Sequence, residues 1–378
     1  MHAALILLAA VAAIDVPVDV VVPNAPTPVR ADGKLHLVYE LHVTNFRARN
    51  LELIEADVID DDSGAVLASY RDGDLSAILA RPGAPADLTE KRIIGGGMRA
   101  ILFFDIARAE APHALRHRLT FKREDTETAL DTARVDVVRR APITLAPPLT
   151  GDRWVAANAL SNGSSHRRSV VVVNGRARIA QRFAIDWIRL GPDGQAFHGD
   201  PANNANWYGY GSEVLAVANG VVSDIKDGIP ENDPTADHKA VPITLETVGG
   251  NYVIVDVGGG FYAFFAHLQP GSLRVKVGDH VGRGHVLALL GNSGNSDAPH
   301  LHFHVGDANS PLGAEGVPYV FRSYEVMGVL TSLKVLEGGE GWKADPAKPA
   351  ERRDAELPTE NQIVRFAGRP RLKPVATR

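Results

Sequence analysis

From Val16 to about Val138 the chain alternates short apolar runs with polar turn residues. Leu37-Val38-Tyr39-Glu40-Leu41-His42-Val43 alternates, Leu51-Glu52-Leu53-Ile54 does so in part, and Ile101-Leu102-Phe103-Phe104 and Leu119-Thr120-Phe121 follow between Gly, Pro and Asp clusters. A period of two sends successive side chains to opposite faces, so strands of this length with turn chemistry between them predict an antiparallel β-sandwich over residues 14–140. Pro142, Pro147 and Pro148 then mark a passage that can neither donate to a sheet ladder nor continue a helix, and a domain boundary is expected there.

The strand signal returns beyond it. Ser169–Val173 and Arg176–Trp187 flank Asn174-Gly175, a strong hairpin signal because both turn positions need positive φ. Val214–Val222, Asn251–Val257, Phe261–Ala266 and Val286–Leu290 are further strand candidates divided by glycine turns, and no amphipathic helix of three turns interrupts them. The fold class expected is therefore mainly β: the sandwich, a second antiparallel β domain over 150–328, and an irregular C-terminal extension over 329–378. Within that extension Lys343–Arg353 reads as solvated, whereas Ile363-Val364-Arg365-Phe366 is apolar enough to dock back on the body.

Charge narrows the partners. The net charge is −5 with both signs interspersed, which gives no broad basic face for nucleic acid. Cysteine is absent, which removes disulfides, thiolate metal sites and a cysteine nucleophile together; any metal must be held by His and carboxylates. Ala3–Ile14 is an uncharged apolar run ending in small residues, which reads as a signal peptide over residues 1–13, although no Lys or Arg precedes it. The run is too short to span a bilayer, so export to the periplasm or beyond is expected, with no integral membrane segment.

Candidate chemistry concentrates in the second domain. In Pro299-His300-Leu301-His302-Phe303-His304, residues two apart share one strand face about 6–7 Å from each other, a geometry that suits a metal ligand beside a catalytic imidazole. His304, last in the run, is the one expected at the surface. Asp186 is flanked by apolar strand residues, where a carboxylate is costly to bury unless paired or metal-bound; a salt bridge to Arg182 or Arg189 is the ordinary alternative. His267 closes the aromatic run Phe261–Ala266, a place where a satisfied strand-end histidine is equally ordinary. In the front module His36, His42, His113 and His117 are scattered singly and read as solvated or hydrogen-bonded residues.

Taken in order, these segments resemble the lysostaphin and LytM-type metallopeptidases, a family of cell-wall endopeptidases. The resemblance runs from His166 to Tyr324 and rests on Phe183–Asp186, Gly211–Val222, Tyr262–Leu268, the glycine turns Val277-Gly278-Asp279, Gly282-Arg283-Gly284 and Gly291-Asn292-Ser293-Gly294, and Pro299–Phe303. It implies an antiparallel β metallopeptidase domain with Asp186 and His302 as zinc ligands, His267 and His300 as catalytic imidazoles, and peptidoglycan or another peptide as substrate. Zinc takes N and O ligands tetrahedrally, and a catalytic site leaves one position open.

One position departs from the pattern. Where the family has its first ligand histidine, four residues before the aspartate, this chain has Arg182, a cation that does not ligate zinc. Either another residue supplies the ligand or the site is empty. His166 is the best substitute: counting outward from an Asn174-Gly175 hairpin sets it opposite Phe183, where a one-residue bulge would turn it toward Asp186. His198 and His304 are further candidates. The loop 199–211, with Trp207, Tyr208 and Tyr210, and the insertion 227–241 are expected as groove walls. Two functions follow: a zinc endopeptidase acting on peptidoglycan cross-links, or a hydrolytically inactive binding or regulatory module on the same fold, which Arg182 motivates.

Overall fold

The computed structural model describes residues 16–85, 87–331 and 333–368. The apolar run read as a signal peptide lies outside them. The chain divides into two compact units: one holds the described residues up to Pro26, Leu37–Ile106 and Glu110–Val138, the other Thr27–His36, Ala107–Ala109 and the described residues from Arg139 onward.

In the first unit two sheets enclose one core. One orders Val18–Val21, Lys34–Asn45, Arg99–Arg108 and Leu79–Ala80; the other orders Thr126–Asp136, Ala114–Arg123, Leu51–Asp60 and Val66–Arg71. The alternation seen in the sequence does the sorting. Leu37, Tyr39, Leu41 and Val43 point inward from the first sheet and meet Leu53, Leu119 and Phe121 from the second.

The second unit is built on an eleven-stranded sheet. Its order is Ile143–Leu145, Tyr319–Val329, Gln362–Phe366, Gly151–Ala157, Ile185–Arg189, Leu301–Gly306, Phe261–Leu268, Asn251–Gly258, Gly220–Lys226 and His280–Val281, with Glu351–Glu356 also paired to Tyr319–Val329. All pairs are antiparallel except the first.

Two expectations need correction here. Residues beyond 329 are not an irregular extension throughout, because Gln362–Phe366 is inserted between two strands of this sheet. Phe366 packs 5.1 Å from the Trp187 ring and 5.8 Å from Phe321, so the apolar patch docks by burying an aromatic cluster. Glu351–Glu356 is charged and mostly exposed, and only its backbone pairing makes it a strand, which is why no apolar pattern announced it. The second correction concerns the Asn174-Gly175 hairpin. The turn forms, with φ of 49° and 74°, but its strands are only Val171–Val173 and Arg176–Arg178. His166 lies outside it, in the helical turn Ser165–Arg168.

Candidate metal centre

Four central strands bring one row of residues together. Ala157 pairs with Asp186, Asp186 with His302, and His302 with Ala266. Directly opposite residues of antiparallel strands point to the same face with Cβ atoms roughly 5 Å apart, so this register sets the carboxylate and the imidazole side by side. The alanines on either flank are too short to fill the space above them. The result is a cleft of about 420 Å³ lined by Asp186, His166, His267, His300 and His302 among others.

The functional side chains enter from four segments of the chain. Asp186 and His302 stand on adjacent strands, with His302 Nδ1 2.9 Å from Asp186 Oδ1. His300 precedes the His302 strand, and its Nε2 is 3.4 Å from Asp186 Oδ1. His267 closes its own strand with φ of 63°, a left-handed conformation costing a β-branched or bulky residue about 1–3 kcal/mol, held by Gly249 O accepting its N–H and by Gly291 N–H donating to its carbonyl. The two glycine segments behind it cross closely: a Cβ on Gly294 would sit 2.2 Å from Gly250 N.

His166 arrives by a route that strand counting missed. The Gly151–Ala157 strand ends at Asn158 in the left-handed region, φ 51°, and the chain turns into Ser165–Arg168. Its Nε2 lies 3.2 Å from Asp186 Oδ2. Asn158 fixes both partners, since its carbonyl accepts from His166 Nδ1 at 3.1 Å while its side-chain amide donates to Asp186 Oδ2 at 2.9 Å. Asn158 carried no sequence signal beyond its small polar side chain.

The remaining candidates fall elsewhere. Arg182 is turned to other partners: its guanidinium donates to Glu315 Oε2 at 2.9 Å and to Gly316 O at 2.9 Å, a buried pairing. Arg189 is 3.8 Å from Asp152. Neither arginine is therefore the partner of Asp186. His198 stacks on Tyr208 and bonds Asn206 O. His304 is not a surface residue; it is 1% exposed, with Nδ1 2.9 Å from His302 Nε2, because the alternation that buries His302 buries it too. Trp207 packs on Phe197, and neither the 199–211 loop nor 227–241 lines the cleft; Val248 and Gly249 do. Both loops brace it instead, through Asn204 to Asn232 O, Asn292 to Asn204, and Asn232 to Gly294 O and Ser296 O.

Electrostatics separate the imidazoles into two kinds. Burial opposes ionisation throughout, yet the charges of His166 and His300 outweigh it for Asp186 and hold its carboxyl well below the usual range. Burial is likewise outweighed by the Asp186 charge at His166 and His300, which are raised. At His302 burial prevails and lowers it to about 4, and burial with nearby imidazole charge pushes His267 far down. His166, Asp186 and His302 can hold a metal, with their donor atoms all within 4.8 Å of one another. Two imidazole nitrogens and one carboxylate oxygen lining a cleft fit the donor set of a catalytic zinc.

Part of the chain resembles known proteins. Residues 208–313 match the model of Peptidase family M23. That stretch contains His267, His300 and His302, while His166 and Asp186 precede it. A peptidoglycan DD-endopeptidase of Vibrio cholerae, ShyB, is 34% identical over 80 residues, 21% of this chain and 18% of that protein. An uncharacterised metalloprotease of Haemophilus influenzae is 32% identical over 174 residues, 44% of this chain and 36% of that protein. The chain thus matches well under half the length of these relatives. Among solved structures, the catalytic domain of lysostaphin from Staphylococcus simulans is 21% identical, covers 39% of this chain and 80% of its own, and has a TM-score of 0.23.

Proposed function

We propose that this chain, whose residues 208–313 form a Peptidase family M23 domain, is an exported zinc-dependent endopeptidase that cleaves peptide bonds in peptidoglycan cross-links. In this reading Asp186, His302 and His166 hold the metal, and His267 and His300 are the catalytic imidazoles. The observation that carries it is the convergence of five side chains from four separate segments on one cleft. A zinc ion there supplies Lewis acidity, acidifying a water and polarising a carbonyl.

The chain's own part follows from its tautomers. His267 Nδ1 donates to Ser293 O at 2.8 Å and His300 Nδ1 to Ala298 O at 2.8 Å. Each ring therefore turns Nε2 into the cleft, where it accepts a proton when neutral and donates to a developing oxyanion when charged. Ser296 Oγ, 3.2 Å from His300 Nδ1, bonds Asn292 and so ties that ring to the braced loop. Peptidoglycan as substrate is supported by the activity for which the Vibrio relative is named, and export by that substrate together with the Ala3–Ile14 run. The motive for a non-hydrolytic module was Arg182, whose charge is taken up by Glu315 while His166 stands beside Asp186.

The test is turnover of purified peptidoglycan by the full chain. Cleavage should vanish with chelator and return with one equivalent of zinc per chain. His300→Gln should keep that zinc while kcat falls roughly 10²–10⁴-fold, the usual worth of a positioned acid–base group. Zinc-replete protein that leaves peptidoglycan intact would sink the proposal.

A further inference from the structure

The third histidine of the His300-His302-His304 run has no place in the mechanism above, yet it is buried against a proposed ligand. Three site imidazoles share one design: His166, His267 and His300 each donate Nδ1–H to a backbone carbonyl and present Nε2 to the cleft. His302 is reversed. It presents Nδ1, and its Nε2 points away toward His304 Nδ1 at 2.9 Å.

The sheet explains the reversal. His302 lies inside a central strand paired on both sides, with Asp186 across one edge and Ala266 across the other. Its neighbouring carbonyls are engaged in ladder bonds, so the outer nitrogen needs a side-chain partner. The position two residues on is the one that shares its face. His304 fills it, with ring centroids 5.2 Å apart, and Phe264 packs against the His304 ring at 4.8 Å.

We infer that His304 is a positioning residue that makes His302 a metal ligand by accepting its Nε2–H. The direction of this bond follows from the metal reading: a neutral imidazole that gives its Nδ1 lone pair to a cation carries its hydrogen on Nε2. His304 Nδ1, 2.9 Å from that Nε2, is then the acceptor. His302 Nδ1 is left as a lone pair facing a carboxylate oxygen at 2.9 Å. Two acceptors converging at that distance are an arrangement completed by a cation between or beside them. Without His304, His302 is free to take the other tautomer and donate to Asp186, which closes the pair against metal.

This inference rests on the zinc reading above, and its test separates the two. Zinc affinity is measured by competition with a chromophoric chelator on the full wild-type chain, His304→Leu and His304→Asn, and metal-free thermal unfolding checks that each variant folds. His304→Leu should bind zinc about 10–100-fold more weakly, the usual cost of losing a partner behind a ligand. His304→Asn, whose amide oxygen can take the Nδ1 place, should recover most of that loss. In zinc-loaded wild type, ¹⁵N spectra should show His302 protonated at Nε2. Folded His304→Leu with wild-type affinity, or His304→Asn no better than Leu, overturns the role of His304 alone. Wild-type protein without measurable zinc affinity overturns this inference and the zinc reading together.

Discussion

His117 and His302 sit in different units, and both are shut off from water at 0% and 2% exposure. Burial lowers both to about 4. Nothing in those properties distinguishes structural from functional histidine. The partners do. His117 Nδ1 donates to Ala133 O at 2.8 Å and its Nε2 faces Tyr39 OH at 2.8 Å, so both nitrogens are satisfied by neutral groups and the ring stacks on Phe104. His302 has a carboxylate on one side and a second imidazole on the other, and three more imidazoles face the same carboxylate or lie beside it. A perturbed pKa marks burial; convergence on one point marks chemistry.

The contrast is sharpest under truncation. Asp186→Ala should remove stoichiometric zinc and return peptidoglycan cleavage to background, a fall on the order of 10⁶-fold if the chain accelerates hydrolysis as enzymes ordinarily do. His117→Leu should leave zinc content and cleavage unchanged while lowering the unfolding temperature of the first unit. Metal analysis and turnover on both variants, prepared side by side, decide it. Zinc lost from His117→Leu, or kept by Asp186→Ala, would break the comparison.

Much of this contrast was legible before any coordinates. Short apolar runs between turn residues placed the strands of the first unit, and His300, His302 and Asp186 stood out because such residues are costly in apolar strands. What could not be read was whatever depended on long-range pairing. His166 reaches the centre through a left-handed Asn158 and a helical turn, a path that no hairpin register encodes. His304, last in its run, reads as a surface residue, yet the sheet continues through Gly306. Arg182 threatened the site only while Glu315, 133 residues away in sequence, was out of view.

A smaller effect separates the two histidines by pH. His117 has a folded pKa near 4 against about 6.5 in an unfolded chain, so between those values the unfolded state binds more protons. Its contribution is fully present above pH 6.5 and is lost as pH falls toward 4, about 3 kcal/mol across the window. Calorimetric unfolding of the first unit should track that loss, and His117→Leu should flatten it. An unchanged slope in the variant would place the pH sensitivity elsewhere.

The smallest effect expected is at Asn158, and it tests whether convergence is built into the fold or merely permitted by it. Asn158→Gly keeps the left-handed backbone, which glycine adopts freely, and keeps the carbonyl that receives His166 Nδ1. It deletes the amide that donates to Asp186 Oδ2 at 2.9 Å, together with an exposed acceptor for Ser165 Oγ. A hydrogen bond to a charged group is worth about 1.5–3 kcal/mol, part of which water entering the cleft would replace, so zinc affinity should fall by about tenfold. Stability should barely change, because a glycine already suits that turn. A loss as large as that of Asp186→Ala would mean that the carboxylate cannot hold its own position, and that the strand register is not what aims it. No loss at all would mean that register alone, Asp186 opposite His302, suffices to build the centre.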